Sequence, residues 1–151
     1  MRRFALLSTI LAVALLGCSQ GDETRQGVSA AWVRLAAVKG NPSAAYFTLR
    51  GGGVDDRLMQ VSSPLAIRAE MHDMSMSGAM MTMDAIKGGV AVSAGKAVSF
   101  APGGKHVMLF DVSPKVEPGS KLPLTLIMAS GAAIAVQADV IAAGADAPAA
   151  K

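Results

Sequence analysis

The side chains of this sequence best suited to chemistry are those of its two histidines and ten methionines. Each histidine opens the same kind of triplet, in which a methionine follows two residues later: His72-Asp73-Met74 and His106-Val107-Met108. On a β-strand, residues two apart point to the same face and lie about 6 to 7 Å apart along the chain. Each triplet can therefore offer an imidazole nitrogen and a thioether sulfur to one point in space.

A cluster of methionines lies between the two triplets. Six of the ten fall within thirteen residues: Met71, Met74, Met76, Met80, Met81 and Met83. Methionine is a common filler of hydrophobic cores, so packing is the ordinary interpretation of such a cluster. We expect core positions for Met59, Met71 and Met128, and loop or rim positions for Met76 and Met80. Because the two triplets use every histidine of the chain, the pattern as a whole favours metal binding.

The donor types select the metal. Thioether sulfur is soft and neutral and has no proton to lose, so it suits Cu(I) or Ag(I) and binds Zn(II), Mg(II) or Ca(II) poorly. Only the two imidazoles must be deprotonated before they bind. Cu(II) prefers nitrogen and oxygen donors and would gain little from methionine. The sequence therefore predicts a site for a soft monovalent cation, Cu(I) or Ag(I).

The elements that must position these donors are short apolar segments separated by turns. Breaks such as Lys39-Gly40-Asn41-Pro42 and Pro102-Gly103-Gly104 recur every eight to twelve residues, which is typical of β-strands. We predict ten strands, near residues 31–38, 44–49, 57–62, 66–74, 80–85, 90–92, 97–100, 106–112, 122–129 and 133–141. This regular spacing, without a helical period, favours an antiparallel sandwich or barrel.

Alternation along these segments predicts which donors share a face. Val107 belongs to the apolar side of its strand, which leaves His106 and Met108 on the other side. The residues predicted to face a common site are His72, Met74, Met81, Met83, His106 and Met108.

The N-terminus reads as a bacterial export signal. Arg2 and Arg3 precede an apolar stretch, Phe4 to Leu16, that is too short to span a bilayer. Leu15-Leu16-Gly17-Cys18 is similar to the lipoprotein box at which the cysteine is acylated, with simple cleavage as the alternative. The predicted organisation is a signal peptide at 1–17, a lipid-anchor tether at 18–30, a domain at 31–141 and a flexible tail at 142–151. This predicts a periplasmic lipoprotein anchored to the membrane.

Composition excludes several classes of function. At 151 residues the chain is long enough for one domain. Outside the leader the formal charge falls from +3 to about +1, and aromatic residues make up only 4%, which argues against a nucleic-acid partner. If Cys18 is the anchor, the domain has no thiol, which excludes disulfides, zinc–thiolate sites, haem attachment and a blue-copper centre. An enzyme is least favoured, because both histidines are committed to the triplets.

Several stretches resemble the periplasmic copper chaperones of the PCu(A)C family. They are Ala31-Trp32-Val33-Arg34, Ala44 to Leu49, Ser62-Ser63-Pro64, Ala69 to Met74, Met81-Thr82-Met83 and Pro102 to Leu109. The family signature is a His, ten residues, a Met, some twenty-one residues and then His-x-Met. Here ten residues separate His72 from Met83 and twenty-two separate Met83 from His106. We expect the surplus residue in the turn Lys87-Gly88-Gly89.

The resemblance implies an all-β, cupredoxin-like antiparallel β-sandwich of Greek-key type that binds one Cu(I) at an exposed edge. The implied ligands are His72, Met83, His106 and Met108. Met74 and Met81 are outside this set and are expected to lie behind the ligands or along a transfer path, with packing as the alternative; Trp32 is expected in the core. Family members deliver copper to acceptors such as the copper centre of cytochrome c oxidase, sometimes together with Sco-type chaperones. The alternatives are a copper sequestration or resistance protein and a structural β-sandwich without a metal.

Overall fold

The computed structural model describes residues 25–77 and 79–148, and every regular element in these residues is a β-strand. The ten strands are β1 (Gly27–Arg34), β2 (Ser43–Arg50), β3 (Asp56–Ser62), β4 (Ala66–Ser77), β5 (Met80–Ala85), β6 (Val90–Val92), β7 (Ala97–Phe100), β8 (His106–Val112), β9 (Lys121–Met128) and β10 (Ala133–Ile141). Their order in the sheet is β5-β4-β8-β2-β1-β10-β9-β3-β6, and β7 pairs with β2. The ten predicted strands are confirmed.

Strand β1 differs most from its predicted position, because it begins at Gly27, inside the predicted tether, and ends at Arg34. Its first residues pair with the end of β2, and the pairing shifts between Ser29 and Trp32. Ala30 takes a left-handed φ of 49° at this irregularity, a conformation that alanine rarely adopts. The irregularity interrupts the alternation of the side chains between the two faces, so the sequence pattern predicts a strand only from residue 31 onward.

The sheet folds over so that its two halves enclose one hydrophobic core. The core cluster contains buried residues from β1, β2, β4 and β8 together with residues from β9 and β10. Phe47 stacks on Phe100 within it, with ring centroids 4.4 Å apart. All strand pairs described are antiparallel except β1 with β10, which is parallel. The predicted β-sandwich is confirmed, with a mixed sheet.

One row of residues shows which side of the sheet faces the core. Met71, Val107, Ala45 and Val33 are in register across β4, β8, β2 and β1, and each is buried in the core cluster. Successive residues of a strand alternate between faces. The even-numbered neighbours, including His72 and His106, therefore lie on the outer face of the sheet.

The methionines divide between core and surface. Met71 and Met128 are buried, and Met76 and Met80 are exposed at the rim, as predicted. The prediction for Met59 is wrong, because its exposed fraction is 45%. The pairing of β3 with β9 shifts between Leu58 and Gln60, and this irregularity turns Met59 outward.

The register also fixes what lies at each end of the sheet. Strands β2 and β4 are both antiparallel to β8, and β1 is antiparallel to β2. The start of β1 therefore lies at the same end of the sheet as the tip of the β4–β5 hairpin.

The predicted signal peptide and Cys18 lie outside the described residues. Within the part of the chain that the structure describes, no helix is long and apolar enough to cross a membrane.

Candidate metal centre

The two histidines are direct neighbours across strands β4 and β8. His72 and His106 are partners in the register, and their ring centroids are 6.0 Å apart with an angle of 27° between the planes. A metal–nitrogen bond of about 2.0–2.1 Å places a ring centroid about 3.2 Å from the ion, so two rings on one ion can be up to about 6.4 Å apart. The pair is therefore close enough to share one ion after rotation of the side chains alone.

Hydrogen bonds assign a different free nitrogen to each imidazole. His106 Nδ1 lies 2.9 Å from the carbonyl oxygen of Gly104. A carbonyl can only accept, so Nδ1 carries the proton and Nε2 keeps the lone pair. His72 Nε2 lies 3.2 Å from Glu70 Oε2, so the carboxylate fixes the proton on Nε2 and leaves the lone pair on Nδ1.

His72 Nδ1 gives a direct test of whether these residues fit a metal. This nitrogen is buried and has no hydrogen-bond partner among the described residues. A buried acceptor without a partner costs about 1–3 kcal/mol. A cation bound by this lone pair would satisfy it, and the second histidine offers its own lone pair from the neighbouring strand. The residues present therefore fit a metal ion held between two neutral imidazoles.

The imidazoles are shielded although they lie on the outer face. His106 is 7% exposed and the side chain of His72 is 12% exposed. The loop before β8 ties the two strands together here, because the Gly104 carbonyl also accepts from the backbone N–H of Met74 at 3.3 Å. Lys105 in the same loop forms an ion pair of 2.7 Å with Asp73.

Methionines flank the histidine pair on both sides. Met74 follows His72 by two residues on the same face and is the register partner of Met83. Met108 follows His106 by two residues and is the partner of Glu70. Of the predicted donors, Met83 therefore lies toward the hairpin tip and Met108 on the opposite side of the pair. Within residues 25–77 and 79–148, no group of three or more His, Cys, Asp or Glu side chains could hold a metal.

Glu70 is the charged side chain in direct contact with His72. Its carboxylate pairs with both Arg68 and His72, and the Arg68 guanidinium lies 3.9 Å from the centre of the Phe110 ring. Arg68 is thus held from two sides and keeps Glu70 against His72. A carboxylate that accepts the ring N–H makes the other ring nitrogen a stronger donor to a metal.

An aromatic row continues from the histidines across the sheet. The Tyr46 ring lies 6.4 Å from that of His106, and Trp32 packs on Tyr46 at 4.3 Å. Burial raises the pKa of Tyr46, with Arg34 partly offsetting the shift, so the phenol stays neutral at neutral pH. Trp32 is buried as predicted, but it packs on the outer face, apart from the core cluster.

Sequence reasoning missed three groups at this site: Glu70, Tyr46 and the Gly104 carbonyl. Glu70 could have been found, because it lies two residues before His72 and so shares its face. The contact of Tyr46 requires knowledge that β2 pairs with β8. The Gly104 carbonyl depends on the conformation of its loop.

Solved structures identify the class of fold. The chain is similar to the copper-bound PCuAC domain from PmoF2, with a TM-score of 0.62 and 22% identity over 76% of this chain and 91% of that one. It is also similar to apo-DR1885 from Deinococcus radiodurans, with a TM-score of 0.55 and 23% identity over 94% of each chain. The Cu(I) form of DR1885 matches at 0.55 and 24%, over 78% of this chain and 77% of that one. The protein therefore has the cupredoxin-like fold of PCuAC domains.

The sequence comparisons identify the family. The family described as "Putative lipoprotein LpqE-like" matches residues 27–140, and this chain belongs to it. "Putative lipoprotein Lxx21020" of Leifsonia xyli subsp. xyli (strain CTCB07) is 30% identical over 105 residues, which cover 69% of this chain. The match spans 62% of that relative, less than two thirds of its length. The predicted resemblance is confirmed, and the matched region contains every predicted donor.

Proposed function

We propose that this protein is an extracytoplasmic copper chaperone that binds one Cu(I) through His72, Met83, His106 and Met108. The observation that carries the proposal is the histidine pair, in which each ring keeps a different nitrogen free and His72 Nδ1 is buried without a partner. Soft thioethers on both sides favour Cu(I) over harder cations. The copper-bound PmoF2 domain and Cu(I)-DR1885 share the fold, which supports copper as the cargo.

The two methionine ligands approach the ion from opposite sides. Met83 is level with Met74, and Met108 is level with Glu70. These two levels are four residues apart along β4, or about 13 Å in a flat sheet. The histidines form the fixed part of the site, and each thioether closes on the ion from its own side.

Exposure sets the order in which ligands are exchanged. Both imidazoles are largely buried, whereas Met83 is 49% exposed. An incoming thiolate or imidazole of an acceptor reaches the ion most easily from the hairpin side and displaces Met83 first. The proposed activity is thus binding and stepwise ligand exchange, without bond-making on a substrate.

The predicted anchor would place this exchange near a membrane. Eight residues lie between Cys18 and Gly27, and they can span at most about 29 Å. The hairpin tip lies at the same end of the sheet as Gly27, so a lipidated Cys18 would hold it near the periplasmic surface. Confinement of this kind raises the effective concentration for a membrane-bound acceptor. Such an acceptor is the copper centre of cytochrome c oxidase, reached directly or with a Sco-type chaperone; membership in a lipoprotein family supports the anchor.

Competition for Cu(I) with a chromogenic chelator tests the metal site. The full chain carries Cys18→Ser in every sample, so that no free thiol competes for the metal. We expect His106→Ala and Met83→Leu to lose the tightest equivalent of Cu(I), and Met59→Leu, at an exposed methionine on β3 outside the predicted donor set, to keep it. Binding curves that are the same in all four proteins would reject the site and favour a structural β-sandwich.

Deletion of the gene separates delivery from storage. If the protein is a chaperone, we expect the deletion strain to lose cytochrome c oxidase activity at limiting copper. Expression of the Cys18→Ala variant in that strain should restore the activity only in part. A sequestration or resistance protein predicts lower copper tolerance with unchanged oxidase activity. The second result would retain the metal site and replace its proposed role.

A further inference from the structure

The β4–β5 hairpin carries four methionines on one face. Met74 is the register partner of Met83, and Met76 is the partner of Met81. Directly opposed residues of antiparallel strands share a face, as do residues two apart on one strand. The four thioethers thus form two successive rungs that lead from His72 toward the hairpin tip.

These methionines do not serve as core packing. Met76, Met81 and Met83 are 66%, 55% and 49% exposed, and none belongs to the core cluster. The opposite face of the hairpin is polar apart from Met80: the Ser75 and Thr82 hydroxyls are 3.2 Å apart and join the strands between the two methionine rungs. The carboxylates of Asp73 and Asp84 share that polar face. The exposed thioethers of this face are not part of the core cluster, and they present several soft donors together.

We propose a second soft-metal site on this hairpin, formed by Met74, Met76 and Met81, with Met83 shared with the histidine site. Opposed side chains have Cβ atoms about 4.5–5.5 Å apart, and residues two apart lie about 6.8 Å from each other. Three sulfurs at about 2.3 Å from one ion are about 4 Å apart from each other. The sulfur of methionine lies two bonds beyond Cβ, so rotation of the side chains brings three of them to this separation.

The ligand of this second site is a monovalent soft cation, Cu(I) or Ag(I), because neutral thioethers hold harder cations poorly. Met74 lies two residues from His72 on the same face, so the hairpin site adjoins the histidine pair. The site itself stands on the hairpin geometry alone. Its role as the entry point from which Cu(I) moves to the histidines rests on the proposed function.

Titration with Ag(I) and, under anaerobic conditions, with Cu(I) tests the site in the full chain carrying Cys18→Ser. The variants are Met76→Leu/Met81→Leu, which removes the sulfurs of the outer rung, and His106→Ala, which removes the histidine pair. The matched control is Met80→Leu, since Met80 lies on the same hairpin and is at least as exposed as Met76 and Met81 but faces the other side. Methionine methyl-13C NMR reports in each case which sulfurs bind.

We expect two equivalents in the wild type and in Met80→Leu, and one in each of the other two variants. In His106→Ala, the methyl signals of Met76 and Met81 still shift with Ag(I). Loss of the outer rung lowers the affinity for the second equivalent at least tenfold. A single equivalent that survives His106→Ala and disappears in Met76→Leu/Met81→Leu would support the hairpin site and reject the histidine site.

Three results would overturn the hairpin site. One is a titration of Met76→Leu/Met81→Leu that matches the wild type and the Met80→Leu control. Another is a single equivalent that disappears in both donor variants, because the two sets of residues would then form one site. The third is a single equivalent that is lost only in His106→Ala, which would leave the proposed copper site in place.

Discussion

At the scale of single residues, the site depends on which nitrogen of each histidine carries its proton. The Gly104 carbonyl fixes His106 and the Glu70 carboxylate fixes His72. The first partner is backbone and survives any substitution that leaves the loop folded. The second is a side chain and can be removed without touching either imidazole. Substitution of Glu70 therefore measures how much the fixed orientation of the His72 ring contributes to metal affinity.

We predict that Glu70→Ala lowers the affinity for Cu(I) about tenfold to a hundredfold, because loss of the acceptor leaves the His72 ring free to rotate and to change its protonated nitrogen. Chelator competition measures the effect. Glu70→Gln should recover much of the affinity, since the amide oxygen can still accept the ring N–H. Glu117→Ala, at an exposed glutamate outside the site, is the control. Equal losses in the Ala and Gln variants would show that the charge of Glu70 matters and not its hydrogen bond.

At the scale of elements, the sequence predicts the strands well and their irregularities poorly. Strands β5, β6, β7, β8 and β10 have the bounds that alternation and turn residues predict. Two errors, at Ala30 and Met59, coincide with shifts in the pairing register, and β1 and β4 also end elsewhere than predicted, at Arg34 and Ser77. A bulge depends on the partner strand, which a single sequence does not specify. The same reason explains why the shared face of His72 and Met74 could be predicted from one strand, whereas the placement of Tyr46 beside His106 could not.

Hydrogen bonds of Asp56, at the start of β3, join this strand to Ser130, which follows β9, and they can be tested by their dependence on pH. Asp56 accepts hydrogen bonds from the Ser130 hydroxyl at 2.6 Å and from the backbone of Ser130 and Arg57. These bonds, led by that of the Ser130 hydroxyl, hold the pKa of Asp56 below its ordinary value of 3.8. A lowered pKa means that folding favours the carboxylate. Its contribution is complete above that ordinary value and is lost as the pH falls through the lowered pKa.

We therefore predict that Asp56→Asn lowers the Tm at neutral pH, and that the difference from the wild type shrinks below pH 3.8. Thermal unfolding from neutral to acidic pH measures this difference. Asp146→Asn, at an exposed carboxylate beyond the last strand, should have a small effect throughout. A difference in Tm for Asp56→Asn that stays constant into the acid range would show that the carboxylate charge is not the stabilising feature.

At the scale of the whole molecule, the residues that fold the protein and the residues that would bind metal lie on opposite sides of the same strands. Leu124 lies on β9, which does not pair with either histidine-bearing strand, and it is completely buried in the core cluster. We predict that Leu124→Ala costs about 2–5 kcal/mol of unfolding free energy, because it leaves a cavity, while the stoichiometry of Cu(I) stays unchanged. Denaturant unfolding and chelator competition measure the two quantities. Thr125→Ala, the half-buried neighbour on the other face of β9, should cost less.

A parallel loss of stability and of Cu(I) binding in Leu124→Ala would contradict this separation. It would mean that the histidine pair keeps its geometry only when the core around Leu124 is fully packed.

The aromatic row gives the molecule a built-in optical signal. Trp32 is the single tryptophan of the chain, and it packs on Tyr46, whose ring adjoins that of His106. All indole emission thus originates from one position, which the Tyr46 ring separates from His106. A positive ion bound at His106 would change the field around this fluorophore, so loading and release of the proposed site could be timed in unlabelled protein.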